Sequence, residues 1–405
     1  MEIRKEERII ERILNKGVEQ ILPSKEVLKK KLLSGERLTI YQGFDPTAKS
    51  LHIGHTVGMR KLEDFRKLGH KVVFLIGDFT ARIGDPDKSQ TRKMLTKEEV
   101  EENMKVYIDQ ASHIIDIYNK ENPVEVKYNS QWHDKLTFAD VIKLSSELTV
   151  QQILKRSLFQ ERIKNDNPIH LNEFLYPLSQ AYDSVVMEVD VEIGGNDQLF
   201  NMLVGREMVL NHLKKEKIVI AGKLLVSSDG QKMGKSIGNV ISLDDSPQDI
   251  YGKVMAFDDD KILIGFEILT NSTLEEVNEY EKRLKSGENP MDLKKELAFK
   301  ITSEITTKED ATKAQSFFES VFQKKEANVE IPEISININE IALTDLLVKV
   351  GFTSSKGQAR RLIEQGAVKI NNKKMMSYNE RINITTNPPV ILKAGRHITK
   401  ITLQK

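Results

Sequence analysis

The chain has 405 residues, 39% of them hydrophobic and 30% charged, and its 61 Lys and Arg against 60 Asp and Glu leave a formal net charge of +1. That length suits two or three domains, each burying its own core, and the even charge balance excludes a protein coated over its whole surface by nucleic acid. The absence of Cys excludes disulfides, thiolate zinc sites and a Cys nucleophile.

No run approaches the roughly 18 apolar residues of a transmembrane helix. The mixed-charge start, Met1 to Glu7, is not followed by the apolar stretch of a secretory signal. A cytoplasmic chain with no membrane attachment is expected.

In chain order, Leu38 to Tyr41 and the nearly continuous apolar run Lys71 to Ile76 read as buried strands. Between them, His55 to Leu68 has helical periodicity through Val57, Leu62, Phe65 and Leu68 and stops at Gly69. Strand, helix and strand make a βαβ unit and hence a parallel sheet, which binds ligands at the carboxyl ends of its strands. Val189 to Ile193 is a further strand. From about Ser246 helices dominate: Leu274 to Leu284, Met291 to Ser303 and Lys308 to Phe322. Gln323 to Asn339, with Pro332, reads as a linker. A compact module follows: a helix from Leu343 to Val350, a second from Ser354-Ser355 to Gly366, then strands over Ala367 to Ile370 and Val390 to Leu392.

The expected architecture is therefore α/β. A Rossmann-like parallel-sheet catalytic domain spans 1–245 and an α-helical domain 246–325. A linker over 326–339 leads to a small α+β domain over 340–405. The last of these is basic, with ten Lys or Arg and two acids between Thr353 and Lys400, which leaves a local nucleic-acid face open.

Two short segments carry the chemistry. His52-Ile53-Gly54-His55 sits where a strand and loop (Gly43, Asp45, Pro46, Thr47) turn into a helix. Its two imidazoles could be metal ligands, helix caps or phosphate contacts, and the helix N-terminus favours phosphate. Gly54 would let the backbone approach a flat adenine ring. Lys232-Met233-Gly234-Lys235-Ser236 could be a plain surface turn, or two ammonium groups closing on pyrophosphate. A third constellation, Tyr176, Gln180 and Asp183, is spaced i, i+4 and i+7 and so projects from one helical face. Its apolar neighbours Phe174, Leu175, Leu178 and Ala181 suit a pocket better than a solvated stripe.

Pro46 to His55 and Lys232 to Ser236 resemble the two signature motifs of class I aminoacyl-tRNA synthetases, and the whole chain resembles the tyrosyl-tRNA synthetases of bacterial type. Gly234 stands where Ser is common in the class. The resemblance implies that ATP, arriving with Mg²⁺ and without a dedicated metal site or tightly bound cofactor, is attacked at its α-phosphorus by the carboxylate of L-tyrosine. The adenylate then acylates the 3′ end of tRNA(Tyr).

By the same resemblance, Thr47, His52 and His55 bind the phosphates, and Lys232 and Lys235 the leaving pyrophosphate. Gly43, Asp45, Gly54, Gly195 and Asp197 line the ATP site, with Asp197 on the ribose. Tyr176, Gln180 and Asp85 hold the substrate ammonium, although Gly84-Asp85-Pro86 also reads as a simple turn. Tyr41 and Asp183 hydrogen-bond the phenol, and Gln198 lines the same pocket. The C-terminal module resembles the S-four type of ribosomal RNA-binding fold, which puts Lys356, Arg360 and Arg361 on RNA phosphates. A homodimer is implied as well.

Three alternatives share part of this pattern: a tryptophanyl enzyme, a nucleotidyltransferase using a related His motif, and a non-enzymatic RNA-binding factor descended from a synthetase. The Tyr41/Asp183 pair and the RNA-binding tail argue against the first. The length argues against the second, and two intact nucleotide motifs against the third.

Overall fold

The computed structural model describes residues 2–86, 94–225, 240–324, 333–353, 355–371, 373–385, 389–395 and 397–404. The chain forms two compact units: Met1–Ser246 with Phe257–Ala311, and Pro247–Ala256 with Thr312–Lys405.

The first unit is built on a six-stranded sheet of β1 (Val18–Leu22), β2 (Thr39–Phe44), β3 (Lys71–Ile76), β4 (Glu125–Tyr128), β5 (Val191–Gly195) and β6 (Ile218–Gly222). Its order is β1-β6-β5-β2-β3-β4. All neighbours are parallel except β1, which runs antiparallel to β6. The chain therefore builds outward from β2 through β3 to β4, then returns to the other side of β2 for β5 and β6. That reversal between β2 and β5 opens a crevice at their carboxyl ends, the place where such sheets bind ligands.

β2, the Ile53–Lys67 helix and β3 form the expected βαβ unit. β3 is buried from Val72 onward, as befits a central strand covered on both faces. Helix residues Met59, Leu62 and Phe65 enter one core with Leu38, Ile40, Phe44, Val72, Phe74 and Ile76. The Ile262–Leu269 and Pro290–Ile305 helices belong to the same unit. There Arg60 forms an ion pair with Glu304 at 2.6 Å, and Lys16 Nζ donates to the Thr270 carbonyl at 2.6 Å.

The second unit contains a five-stranded sheet of β7 (Glu333–Ile336), β9 (Val368–Ile370), β10 (Lys373–Lys374), β12 (Val390–Ala394) and β13 (His397–Leu403). A separate pair is made by β8 (Glu340–Ala342) and β11 (Arg381–Asn383). The Leu343–Lys349 and Lys356–Glu364 helices bury Leu343, Leu346, Leu347, Ala359 and Ile363 against Val368, Leu392 and Ile401. Residues 333–336 depart from the expected linker. They form β7, parallel to β13, because Ile334 and Ile336 alternate with polar neighbours and Ile336 is buried in the core. No helix among the described residues is long and apolar enough to cross a membrane.

Candidate active site

The crevice between β2 and β5 is formed first by a loop leaving β2. Phe44 anchors its start by stacking on Phe74, with ring centroids 4.2 Å apart. Three side chains from the following helical segments then hold the loop. Asn103 Nδ2 donates to the Pro46 carbonyl at 3.0 Å, and the Tyr107 hydroxyl donates to the Ala48 carbonyl at 2.8 Å. The Leu51 amide donates to Gln110 Oε1 at 2.8 Å. Thr47 is carried on this pinned loop, and exposed Gly43 lies just before it on β2.

The loop ends in the two histidines, which cap the Ile53–Lys67 helix reciprocally. His52 Nδ1 accepts from the Gly54 amide at 3.1 Å, and His55 Nδ1 accepts from the His52 amide at 3.0 Å. Their rings stack at 3.8 Å between centroids. Of the three readings open to the pair, capping is thus realised, with the rings at the positive end of the helix. A Cβ on Gly54 would lie 3.0 Å from the His52 ring, so the residue also makes room for that ring.

The residues expected to hold the amino acid form a second cluster. Tyr176, Gln180 and Asp183 share the Leu175–Val186 helix. The Tyr176 hydroxyl donates to Asp45 Oδ2 at 2.9 Å, and Thr80 Oγ1 donates to Asp45 Oδ1 at 2.7 Å. Burial pushes the Asp45 carboxyl up to about 6 against these two donors. Asp183, 3% exposed, accepts from Trp132 Nε1 at 2.8 Å, His133 Nε2 at 2.8 Å and Asn129 Nδ2 at 3.2 Å. Burial raises its pKa, and the His133, Trp132 and Asn129 contacts oppose that rise. Asp85 accepts from Gln198 Nε2 at 3.0 Å and from Asn201 Nδ2 at 3.3 Å. Tyr41 and Gln180 meet on one carboxylate: the Tyr41 hydroxyl donates to Glu192 Oε1 at 2.7 Å and Gln180 Nε2 donates to the same oxygen at 2.9 Å.

At the end of β5, Gly195 is a close-approach position, since a Cβ there would come within 2.4 Å of Asp197 Oδ1. Asp197 itself is exposed.

Lys232, Lys235 and the intervening Gly234 lie outside the described residues. The chain just beyond them is tied to the first motif by backbone: His52 and Ser242 form an antiparallel bridge. The Ile53 amide donates to the Ile241 carbonyl at 2.9 Å, and the Leu243 amide to the Leu51 carbonyl at 2.9 Å.

In the second unit, Lys356, Arg360 and Arg361 are exposed on the Lys356–Glu364 helix. Lys356 pairs with Asp345 at 2.6 Å, and the Arg360 guanidinium lies 5.0 Å from the Tyr378 ring centroid.

Sequence reasoning missed the Asn129, Trp132 and His133 shell around Asp183, the Asn103, Tyr107 and Gln110 clamp, and Glu192 with its partner Lys217. A signal existed for some of them. Trp132 is the only Trp in the chain, and Glu192 and Lys217 are charges next to buried apolar strand residues.

Comparison with known proteins identifies the family. Residues 33–323 match the family described as tRNA synthetases class I (W and Y), and residues 323–391 match the tyrosine–tRNA ligase SYY-like C-terminal domain. The tyrosine–tRNA ligase of Thermotoga maritima is 44% identical over 380 residues, covering 93% of this chain and 92% of the relative. That of Carboxydothermus hydrogenoformans is 41% identical over 406 residues and 97% of each chain. Among solved structures, a C-terminally truncated Aspergillus nidulans mitochondrial tyrosyl-tRNA synthetase is 21% identical with a TM-score of 0.66, over 78% of this chain and 94% of that one. The Archaeoglobus fulgidus tyrosyl-tRNA synthetase complexed with L-tyrosine is 22% identical with a TM-score of 0.60, over 77% and 99%. These two share the fold.

Proposed function

We propose a division of labour among the residues of this chain, which belongs to the tyrosine-specific class I aminoacyl-tRNA synthetases. The protein is a tyrosine–tRNA ligase. With ATP it converts L-tyrosine to tyrosyl-adenylate and pyrophosphate, then transfers the tyrosyl group to tRNA.

No group of the protein becomes covalently attached to substrate in this reaction, so catalysis rests on positioning and on charge stabilisation. In our reading, Thr47, His52 and His55 meet the phosphates at the N-terminus of the Ile53–Lys67 helix, and Lys232 and Lys235 take the charge of the leaving pyrophosphate. Gly43, Asp45, Gly54, Gly195 and Asp197 line the nucleotide, and Mg²⁺ enters as part of the substrate MgATP. Tyr176, Gln180 and Asp85 receive the tyrosine ammonium, Tyr41 and Asp183 its phenol, and Gln198 completes the pocket. The observation that carries the reading is the set of hydrogen bonds that joins Tyr41 and Gln180 to Glu192 on β5, and Tyr176 to Asp45 on the loop leading to the His cap. The Ile241–Leu243 backbone, paired with that cap, supports the joint use of the two motifs.

The domain roles belong to the same proposal. Residues 1–245 carry the chemistry, 246–325 approach the anticodon, and 340–405 hold tRNA phosphates through Lys356, Arg360 and Arg361. A homodimer is supported by large apolar side chains left exposed over 138–171: Phe138 at 81%, Leu171 at 79%, Ile142 at 55% and Val150 at 53%. Cytoplasmic placement is part of the same proposal.

Amino-acid-dependent ATP–pyrophosphate exchange, run across all the amino acids with and without tRNA, tests the whole reading. Exchange should occur with tyrosine alone. Exchange with tryptophan, or with none, would overturn it.

A further inference from the structure

Beneath the tyrosine pocket lies a charged pair to which none of these roles has been given. Glu192 on β5 is 2% exposed, and Lys217, immediately before β6, is fully buried. Their side chains are in direct contact through Lys217 Nζ and Glu192 Oε2. Lys217 Nζ also donates to Ser184 Oγ at 3.0 Å. The ammonium occupies space left by Gly205, where a Cβ would stand 2.5 Å from Nζ. Stability does not account for such a pair, because well-packed apolar residues of similar volume usually serve a core as well or better.

What the pair does is orient its neighbours. Oε2 faces the ammonium, which leaves Oε1 for the Tyr41 hydroxyl and for Gln180 Nε2. A carboxylate only accepts, so Tyr41 must spend its single proton on Glu192, and Gln180 must turn its NH₂ there. The opposite end of the Gln180 amide, Oε1, is buried with no partner within the protein. The group left for a ligand is therefore an acceptor, the amide carbonyl of Gln180, whereas the Tyr41 hydroxyl also lies 2.9 Å from Ser184 Oγ.

We propose that Glu192, held by Lys217, is a positioning residue that turns the Gln180 carbonyl toward the substrate. The ligand must then donate there, as the ammonium of tyrosine does. The proposal rests on the placement of tyrosine given above.

Glu192→Gln tests it. Beside the ammonium of Lys217, the new amide turns its carbonyl toward the lysine and its NH₂ toward Gln180, whose own amide must then turn over and present its NH₂ to the ligand. The KM for tyrosine in pyrophosphate exchange should rise about tenfold, while the KM for ATP stays within about twofold. The preference for binding tyrosine over 3-(4-hydroxyphenyl)propionate, which has no ammonium, should fall by a similar factor. Lys217→Met serves if Glu192→Gln does not fold, because it removes the ammonium that holds Glu192 in place against Gln180; the same two changes are expected. In Glu192→Gln/Lys217→Met, the amide is free to turn its carbonyl back, and the tyrosine KM should recover to within about threefold of the parent.

A folded Glu192→Gln or Lys217→Met chain with the parent's tyrosine KM and ammonium preference overturns the proposal. Tyr41→Phe and Asp183→Asn separate that result from failure of the pocket itself. If these two leave the tyrosine-to-phenylalanine ratio unchanged, the placement of tyrosine is wrong and the role of Glu192 falls with it.

Discussion

The Tyr176 hydroxyl donates to Asp45 Oδ2 at 2.9 Å and so ties the Leu175–Val186 helix to the first residue of the loop after β2. The carboxylate that receives this bond is pushed up to about 6, chiefly by burial. In the unfolded chain it returns to the ordinary value near 3.8. Between the two values the folded protein holds a proton that the unfolded chain has lost, so this group makes stability fall as pH rises from about 4 to about 6. Asp45→Asn should remove that component. Urea unfolding across this range should show the parent losing stability relative to the variant as pH rises; parallel curves would refute the assignment.

Asp183 is surrounded by three donors and has one direction left for a ligand hydroxyl. Asp183→Asn substitutes an amide that can no longer accept at every site, leaving a donor among donors. Tyrosine-dependent exchange should lose about tenfold or more in kcat/KM, with a much smaller change for phenylalanine. Parallel losses for both amino acids would assign Asp183 to the fold rather than to selectivity.

The two histidines invite a separation of capping from chemistry. Asn is as good an N-cap as a helix finds, so His52→Asn should keep the melting temperature within a few degrees. Its rate of adenylate formation should nonetheless fall by about tenfold or more, because the imidazole is absent from the developing phosphate charge. Stopped-flow measurement of the first turnover, beside thermal unfolding, gives both numbers. An unchanged rate would confine His52 to its capping role.

Replacing Lys356, Arg360 and Arg361 together by Ala should weaken tRNA binding and flatten its salt dependence by up to about three counterions. Pyrophosphate exchange should be unaltered. Filter binding over a salt series is the measurement, and loss of exchange in step with binding would mean that these residues support the fold.

Local pattern made the active-site half legible. The 3.6-residue period of the Ile53–Lys67 helix and the apolar run of β3 announced a parallel sheet, and the spacing of Tyr176, Gln180 and Asp183 placed them on one face. Nothing local announced that Asn129 would reach Asp183, or that Lys217 would neutralise Glu192 across 25 residues. Those contacts exist only once β4 is laid beside β3 and β6 beside β5. β7 was hidden for the same reason: four residues of weak alternation become a strand because β13 offers an edge to pair with.

The Trp132 indole has a use that needs no mutation. As the only tryptophan in 405 residues, it lies 2.8 Å from the carboxylate proposed to select the substrate. Light absorbed near 295 nm would therefore be emitted almost entirely from a ring in contact with Asp183. If the amino acid enters beside Asp183 as proposed, it alters the field across that ring, and a simple titration in the absence of ATP would read the occupancy from native fluorescence.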